Sequence, residues 1–250
     1  WSTGDIDSLL FVIPTQAYTS LSLVVSDAFG NTDTSYLVIH ALDECVFPGD
    51  ANGDGTANNI DILNLGIAYG QTGYIRPNAH LNWVGQPSHS WAQAFGGGVN
   101  YAHSDGDGNG VIDENDILAI EHNYLFPNPY PGTISSSGVP ISVEFDATNA
   151  MPGDTVRARI MLGSATQAVD SMYGIAFALE LSGYDIDSGS VQVSFDGSAL
   201  GNPSDLLTVS KAFYDRPRIE VGITRFDGNE MDGIKGLMAE IIVVIDEIIG

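Results

Sequence analysis

Asp50-Ala51-Asn52-Gly53-Asp54-Gly55-Thr56-Ala57-Asn58-Asn59-Ile60-Asp61 and Asp105-Gly106-Asp107-Gly108-Asn109-Gly110-Val111-Ile112-Asp113-Glu114-Asn115-Asp116 are one pattern written twice, each residue offset from its counterpart by 55. Oxygen-bearing side chains recur at positions 1, 3, 5, 9 and 12, and glycine stands at position 6. Calcium is a hard cation that takes six to eight oxygen ligands at roughly 2.3–2.6 Å, and a twelve-residue loop supplies them from those positions plus a backbone carbonyl at position 7. The expected ligands are Asp50, Asn52, Asp54, Asn58 and Asp61 in the first loop, and Asp105, Asp107, Asn109, Asp113 and Asp116 in the second. Thr56 and Val111 offer the carbonyls, while Gly55 and Gly110 make the sharp turn. Position 12 is aspartate in both copies. Its carboxylate is one methylene shorter than a glutamate and stays in reach if the following helix starts close to the ion.

Outward from the loops the repeat continues. Ile62, Leu63, Leu65 and Tyr69 match Ile117, Leu118, Ile120 and Tyr124 by the same offset. At helical spacing Ile62, Leu65 and Tyr69 share one face, as do Ile117, Ile120 and Tyr124. The two stripes are expected to pack on each other about a pseudo-twofold axis. Without an ion the clustered carboxylates repel, so calcium is expected to staple this small unit. A staple is the plainer reading than a sensor that opens and closes.

The flanks are of another kind. Residues 8–13, 19–27 and 34–42 are rich in Val, Ile, Leu and Tyr, with Leu21, Leu23 and Val25 alternating against Ser20, Ser22 and Val24. Ala28-Phe29-Gly30-Asn31 reads as a hairpin turn between the last two strands. After a linker of Pro, Ser and Gly at residues 127–138, the pattern turns to strands again. Val156, Ala158, Ile160 and Leu162 alternate with Arg157, Arg159 and Met161. Ile175, Phe177, Leu179 and Leu181, then Val191, Val193 and Phe195, then Ile219, Val221 and Ile223 repeat the period of two. Leu237 to Ile245 is apolar on both faces, which predicts a central strand covered on each side. Strands broken by Gly, Asp and Pro turns predict a sandwich for residues 139–250.

Charge narrows the function. Eight Lys and Arg stand against 32 Asp and Glu, a formal net charge of −24, and Arg76 is the single basic residue among the first 150. Such a surface disfavours nucleic acid and anionic membranes, and it suits a medium rich in divalent cations. Cys45 is the sole cysteine, so no disulfide forms within the chain. No apolar run reaches about 18 residues, which predicts no membrane insertion. The chain opens on Trp1 without a basic-then-apolar leader and reads as a piece of something longer. No phosphate loop, Gly-x-Ser-x-Gly elbow or zinc-spaced histidines occur, and the tightest carboxylates are spoken for by the loops, so a non-catalytic protein is expected.

The stretches PGDANGDGTANNIDILNLGIAYG and SDGDGNGVIDENDILAIEHNYL resemble the two halves of a dockerin, the calcium-dependent docking module of bacterial cellulosomes. The resemblance covers about 80 residues. Where dockerins often carry Ser-Thr at loop positions 10 and 11 to read their partner, this chain has Asn59-Ile60 and Glu114-Asn115. The stretch between repeats, residues 71–104, is longer than in cellulosomal dockerins and holds Trp83, Trp91, Phe95 and Tyr101, either as a satellite core or as a contact surface. Pro152-Gly153-Asp154-Thr155-Val156, Tyr173-Gly174-Ile175-Ala176-Phe177-Ala178-Leu179 and Gly236-Leu237-Met238-Ala239-Glu240-Ile241 look like a cohesin, the dockerin's receptor. Residues 1–43 resemble the second half of an immunoglobulin-like or PKD-type surface repeat.

Together these imply a mainly β protein with a small α calcium-binding module: a partial Ig-like unit at 1–43, a duplicated EF-hand-type, dockerin-like unit at 44–126 and a cohesin-like β-sandwich from 139. Two bound calcium ions are expected, with a protein partner that is either another copy of the chain or a cohesin-like domain. The implied function is an extracellular, secreted or cell-surface structural protein that mediates adhesion or head-to-tail assembly. The rival is the non-catalytic docking region of a secreted polysaccharide-degrading enzyme. A carbohydrate-binding module would need an aromatic strip on the sandwich, for which Tyr173, Phe177 and Tyr184 are the candidates.

Overall fold

The computed structural model describes residues 12, 18–40, 42–126, 140–164, 166–180, 186–213 and 218–246. The expected strand at 8–13 and the linker at 127–138 lie outside or almost wholly outside them, as do Leu181 and Tyr184.

Strands β1 (Tyr18–Ser26) and β2 (Thr32–His40) form an antiparallel hairpin in continuous register from Tyr18 opposite His40 to Ser26 opposite Thr32. Its turn is fixed by Asp27, whose carboxylate accepts from the amides of Phe29 and Asn31. Gly30 supplies the left-handed residue at φ +83°. Leu21 is buried, whereas Val24, Val25, Tyr36, Leu37 and Val38 are all at least half exposed.

The short strands β3 (Glu44–Val46) and β4 (Gln86–Ser88) pair and frame the duplicated unit. Helix α1 (Asp61–Ala68) follows the first loop. The second loop leads through a 3-10 turn, Glu114–Asp116, into helix α2 (Ile117–His122). Trp91 is buried with Val46, Ile62, Leu65, Ile112 and Ile120, and Phe95 and Tyr101 pack against that cluster. The aromatic residues between the repeats are thus core-forming, except that Trp83 stacks at the margin on Phe47 and Phe126.

The C-terminal part is a sandwich of two antiparallel sheets. Strands β5 (Ile141–Phe145), β6 (Thr155–Leu162), β8 (Ile186–Ser194) and β11 (Gly236–Ile245) form one in the order β5-β6-β11-β8. Strands β7 (Gly174–Glu180), β9 (Leu206–Phe213) and β10 (Arg218–Arg225) form the other in the order β7-β10-β9. Val156, Ala158, Ile160, Ala239, Ile241 and Val243 of the first sheet share a core with Phe177, Ile219 and Val221 of the second. The alternation read from sequence holds along β6: its even-numbered residues are buried, and Arg157 and Arg159 reach outward to Glu240 at 2.7 and 3.3 Å. Phe177 is buried and unavailable to a sugar.

One expectation is corrected. β11 is central in its sheet, but its outer residues Ile242 and Val244 are only half-buried. The strand covered on both faces is β10, where Ile219 through Thr224 are all buried. Hydrophobicity misled because the outer face of β10 is Glu220, Gly222 and Thr224: Gly222 and Thr224 admit a close approach, and Glu220 accepts from Arg218 and Tyr124. What covers them is the duplicated unit. Among the described residues no helix is long and apolar enough to cross a membrane.

Candidate metal centre

The two loops fold alike, hydrogen bond by hydrogen bond. In the first, both carboxylate oxygens of Asp61 accept backbone amides, from Asn52 at 3.0 Å and Asn58 at 2.7 Å. In the second, Asp116 accepts from Asp107 at 3.1 Å and Asp113 at 2.8 Å. Asp50 accepts from the Gly55 amide at 3.0 Å, and Asp105 from Gly110 at 3.2 Å. Asn52 caps the amide of Asp54 and Asp54 that of Thr56, as Asp107 caps Asn109 and Asn109 caps Val111. Asn58 and Asp113 each accept the amide two residues on, from Ile60 and Asn115. Gly55 and Gly110 sit at φ +89° and +86°, a conformation that favours glycine.

The same atom is left over in each copy. Oδ1 of Asp50 and Oδ1 of Asp105 are buried without a hydrogen-bond partner. A buried carboxylate oxygen is costly unless something positive meets it, and carboxylate oxygens keep lone pairs free even when each accepts an amide. In the second loop, carboxylate oxygens of Asp105, Asp107 and Asp116 lie within 4.8 Å of one another. With no ion bound, burial pushes Asp105 up to about 6 and Asp116 up to about 8, and it raises Asp50 and Asp61 as well. The donor set is all oxygen, buried at positions 1 and 12 and open to solvent at position 5. That set fits a hard divalent cation. Asp50, Asn52, Asp54, Asn58 and Asp61, and their counterparts, are the side chains that would hold it.

Around the loops the symmetry breaks. Asn59, at loop position 10, donates its side-chain amide to the carbonyls of Phe177 (3.0 Å) and Val221 (2.9 Å) on the β7-β10-β9 sheet. Its counterpart Glu114 turns back inside the unit and accepts from the Tyr69 hydroxyl at 2.7 Å. Tyr69's own counterpart, Tyr124, reaches out to Glu220 at 3.0 Å. A Cβ on Gly222 would meet the Asn59 carbonyl at 2.4 Å, and one on Gly66 would meet Thr224 at 2.4 Å. Glycine at both places lets α1 lie directly on the sheet. Leu207 and Val209 of β9 join the core of the duplicated unit, and Phe226 stacks on Tyr69. The expected packing of the two helical stripes on each other is thus only part of the outcome, since both repeats also rest on the sandwich. This seat was missed from sequence. Its signal was the run of small outward residues, Gly174, Ala176, Ala178, Gly222 and Thr224, on neighbouring strands.

Other acidic residues are already committed. Asp227 is held by Arg225, and Asp232 accepts from the Ser171 amide at 2.8 Å. His103 lies 3.2 Å from Glu44.

No protein-family model matches the chain, and no curated protein matches it. Among solved structures it is similar to a type II cohesin, A11, from Bacteroides cellulosolvens, at 14% identity over 43% of this chain and 69% of that one, with a TM-score of 0.35. It is also similar to a type II cohesin domain from the cellulosome of Acetivibrio cellulolyticus, at 14% identity over 44% of this chain and 69% of the other, TM-score 0.32. An interface mutant of a type II cohesin–X-dockerin complex from the same organism matches at 12% identity over 43% and 71% of the two chains, TM-score 0.31. At these values the likeness is one of coarse architecture.

Proposed function

We propose that this chain is a non-catalytic, calcium-binding structural protein of the cell surface or extracellular medium, in which two calcium ions order a docking unit that seats on a β-sandwich. The observation that carries the reading is the repeated loop scheme, with one buried, partnerless carboxylate oxygen at the same place in each copy. Position 10 of the first loop lies between two expected ligands, Asn58 and Asp61, so an ion there fixes the residue that grips the sandwich. The strongly acidic surface agrees with a calcium-rich medium.

The same seat formed between copies, rather than within one, joins the docking unit of one chain to the sandwich of the next. A contact of that heterologous kind does not close on itself and grows into a chain. Light scattering and electron microscopy over a concentration series, in calcium and in EDTA, test both parts. Head-to-tail assemblies that grow with concentration in calcium and dissolve in EDTA are expected. Dispersed monomers in both conditions contradict assembly, and indifference to EDTA contradicts calcium's part in it.

A further inference from the structure

Arg76, the lone basic residue of the first 150, is buried against the second loop. Its guanidinium donates to the carbonyls of Asp105 and, at 2.9 Å, of Gly106, which are loop positions 1 and 2. Its NH1 lies 3.9 Å from the Asp105 carboxylate. Its Nε donates to Gln86 at 3.3 Å, and Gln86 is itself tied to the carbonyl of His80 at 2.6 Å. The backbone takes part too: the Arg76 amide donates to Gly108, loop position 4, and the Gly73 amide to Gly110, both at 3.0 Å. A Cβ on Gly108 would meet Ala79 at 2.3 Å and Arg76 at 3.1 Å, so the loop is glycine where the arginine crosses it.

In the first loop the carbonyl at position 2, that of Ala51, is met instead by a neutral group, the side-chain amide of Asn64, at 3.1 Å. Ala57 exchanges backbone hydrogen bonds with Leu125 and Phe126, the counterpart of what Ile112 makes with Gly70 and Gln71. Among the described residues no ion pair joins an arginine or lysine to a carboxylate of that loop, and His103, on the side of Asp50, is engaged by Glu44. The charges match this division. At the expected ligand positions the second loop carries carboxylates at 1, 3, 9 and 12, whereas the first carries them at 1, 5 and 12; the second loop's further carboxylate, Glu114 at position 10, is turned to the Tyr69 hydroxyl. Arg76 offsets the extra one, and arginine stays charged when buried.

We propose that Arg76, carried on the segment inserted between the repeats, is a tethered cation that holds the second cage in shape before calcium arrives, so that the two loops answer calcium unequally. The second loop is a standing strut. The first takes its shape only with its ion, and because Asn59 belongs to the first loop, that ion is the one that seats the unit on the sandwich. The inference rests on the calcium reading above and deepens it. Arg76 here is a positioning residue, acting on Asp105 and its neighbours rather than on the ion.

Amide hydrogen exchange of the whole chain tests this, read at Gly55 and Gly110, whose amides bond to Asp50 and Asp105. In EDTA, Gly110 is expected to exchange roughly ten- to a hundredfold more slowly than Gly55, as for a loop held by charged hydrogen bonds against one that opens freely. Calcium is expected to bring Gly55 to the level of Gly110. Arg76→Met is expected to abolish the difference in EDTA while leaving both amides protected in calcium, and Arg76→Lys to restore part of it. Equal exchange of the two glycines in EDTA in the unsubstituted chain overturns the proposal, with no variant needed. So does an Arg76→Met chain that keeps the difference. If neither amide responds to calcium, the calcium reading fails instead, and the contrast in EDTA still decides the role of Arg76.

Discussion

Asp61 and Asp116 place both oxygens of a buried carboxylate against backbone amides, and Asp50 and Asp105 leave one oxygen facing inward with nothing to meet. Buried carboxylates in such surroundings hold their protons when no cation stands beside them. Burial raises Asp105 to about 6 and Asp116 to about 8 in the folded chain, above the ordinary value near 3.9 in the unfolded one. The folded state therefore holds protons that the unfolded state releases, and this contribution is present in full below about pH 4 and is lost as pH rises through about 8. Calorimetric melting in the absence of divalent ions is expected to show the thermal midpoint falling from pH 5 to pH 8. Calcium at pH 8 is expected to reverse the fall and to release protons on binding. Asn59 yields a second test. Asn59→Ala removes two buried hydrogen bonds to the sandwich and is expected to cost about 1–3 kcal/mol, read as a lower urea midpoint in calcium, while both ions still bind.

At the level of elements, helix α1 is where the duplicated unit and the sandwich become one body. In an exposed helix Gly→Ala stabilises by about 1 kcal/mol, but Gly66 is not exposed to anything but the sheet. A methyl there meets Thr224 at 2.4 Å and the Arg225 carbonyl at 2.6 Å. Overpacking of this kind costs about 1–3 kcal/mol, so Gly66→Ala is expected to destabilise rather than stabilise. Gly222→Ala, on the opposite side of the contact, is expected to do the same. Thermal unfolding of the two variants checks the sign. The loops were legible because the same oxygen-bearing side chains and turn glycine recur at an offset of 55, and each copy folds with the same hydrogen bonds. Strand β6 was legible because one face is apolar and the other bears Arg157 and Arg159. The seat was not, because the alternate small residues of β7 and β10 and Gly66 of α1 carry no hydrophobicity to mark a covered face; they matter by what they lack. Met238 and Ala239 are both buried, since the register shifts between Leu237 and Ala239, and a bulge of that kind breaks the alternation on which strand reading depends.

Across the whole molecule, a chain with a formal net charge of −24 folds around carboxylates brought close together at two places. Self-repulsion of that size favours the unfolded or loosened state unless counter-charge is supplied. Arg76 meets the second loop with one positive charge already counted in that sum, and on the proposed reading two divalent ions would add four more where the loop carboxylates gather. Removing the ions is expected to free the duplicated unit from the β7-β10-β9 sheet. Small-angle scattering is then expected to show a larger radius of gyration in EDTA than in calcium, and Asn59→Ala is expected to bring the calcium-loaded chain partway toward the EDTA value. The most direct measurement of the central claim is the number of calcium ions held by the intact chain, taken by native mass spectrometry with isothermal titration alongside. Two ions per chain are expected, falling to one when Asp50 and Asp61 are both replaced by alanine. A chain that takes up no calcium at millimolar concentration, or one whose uptake is unchanged by those replacements, contradicts it.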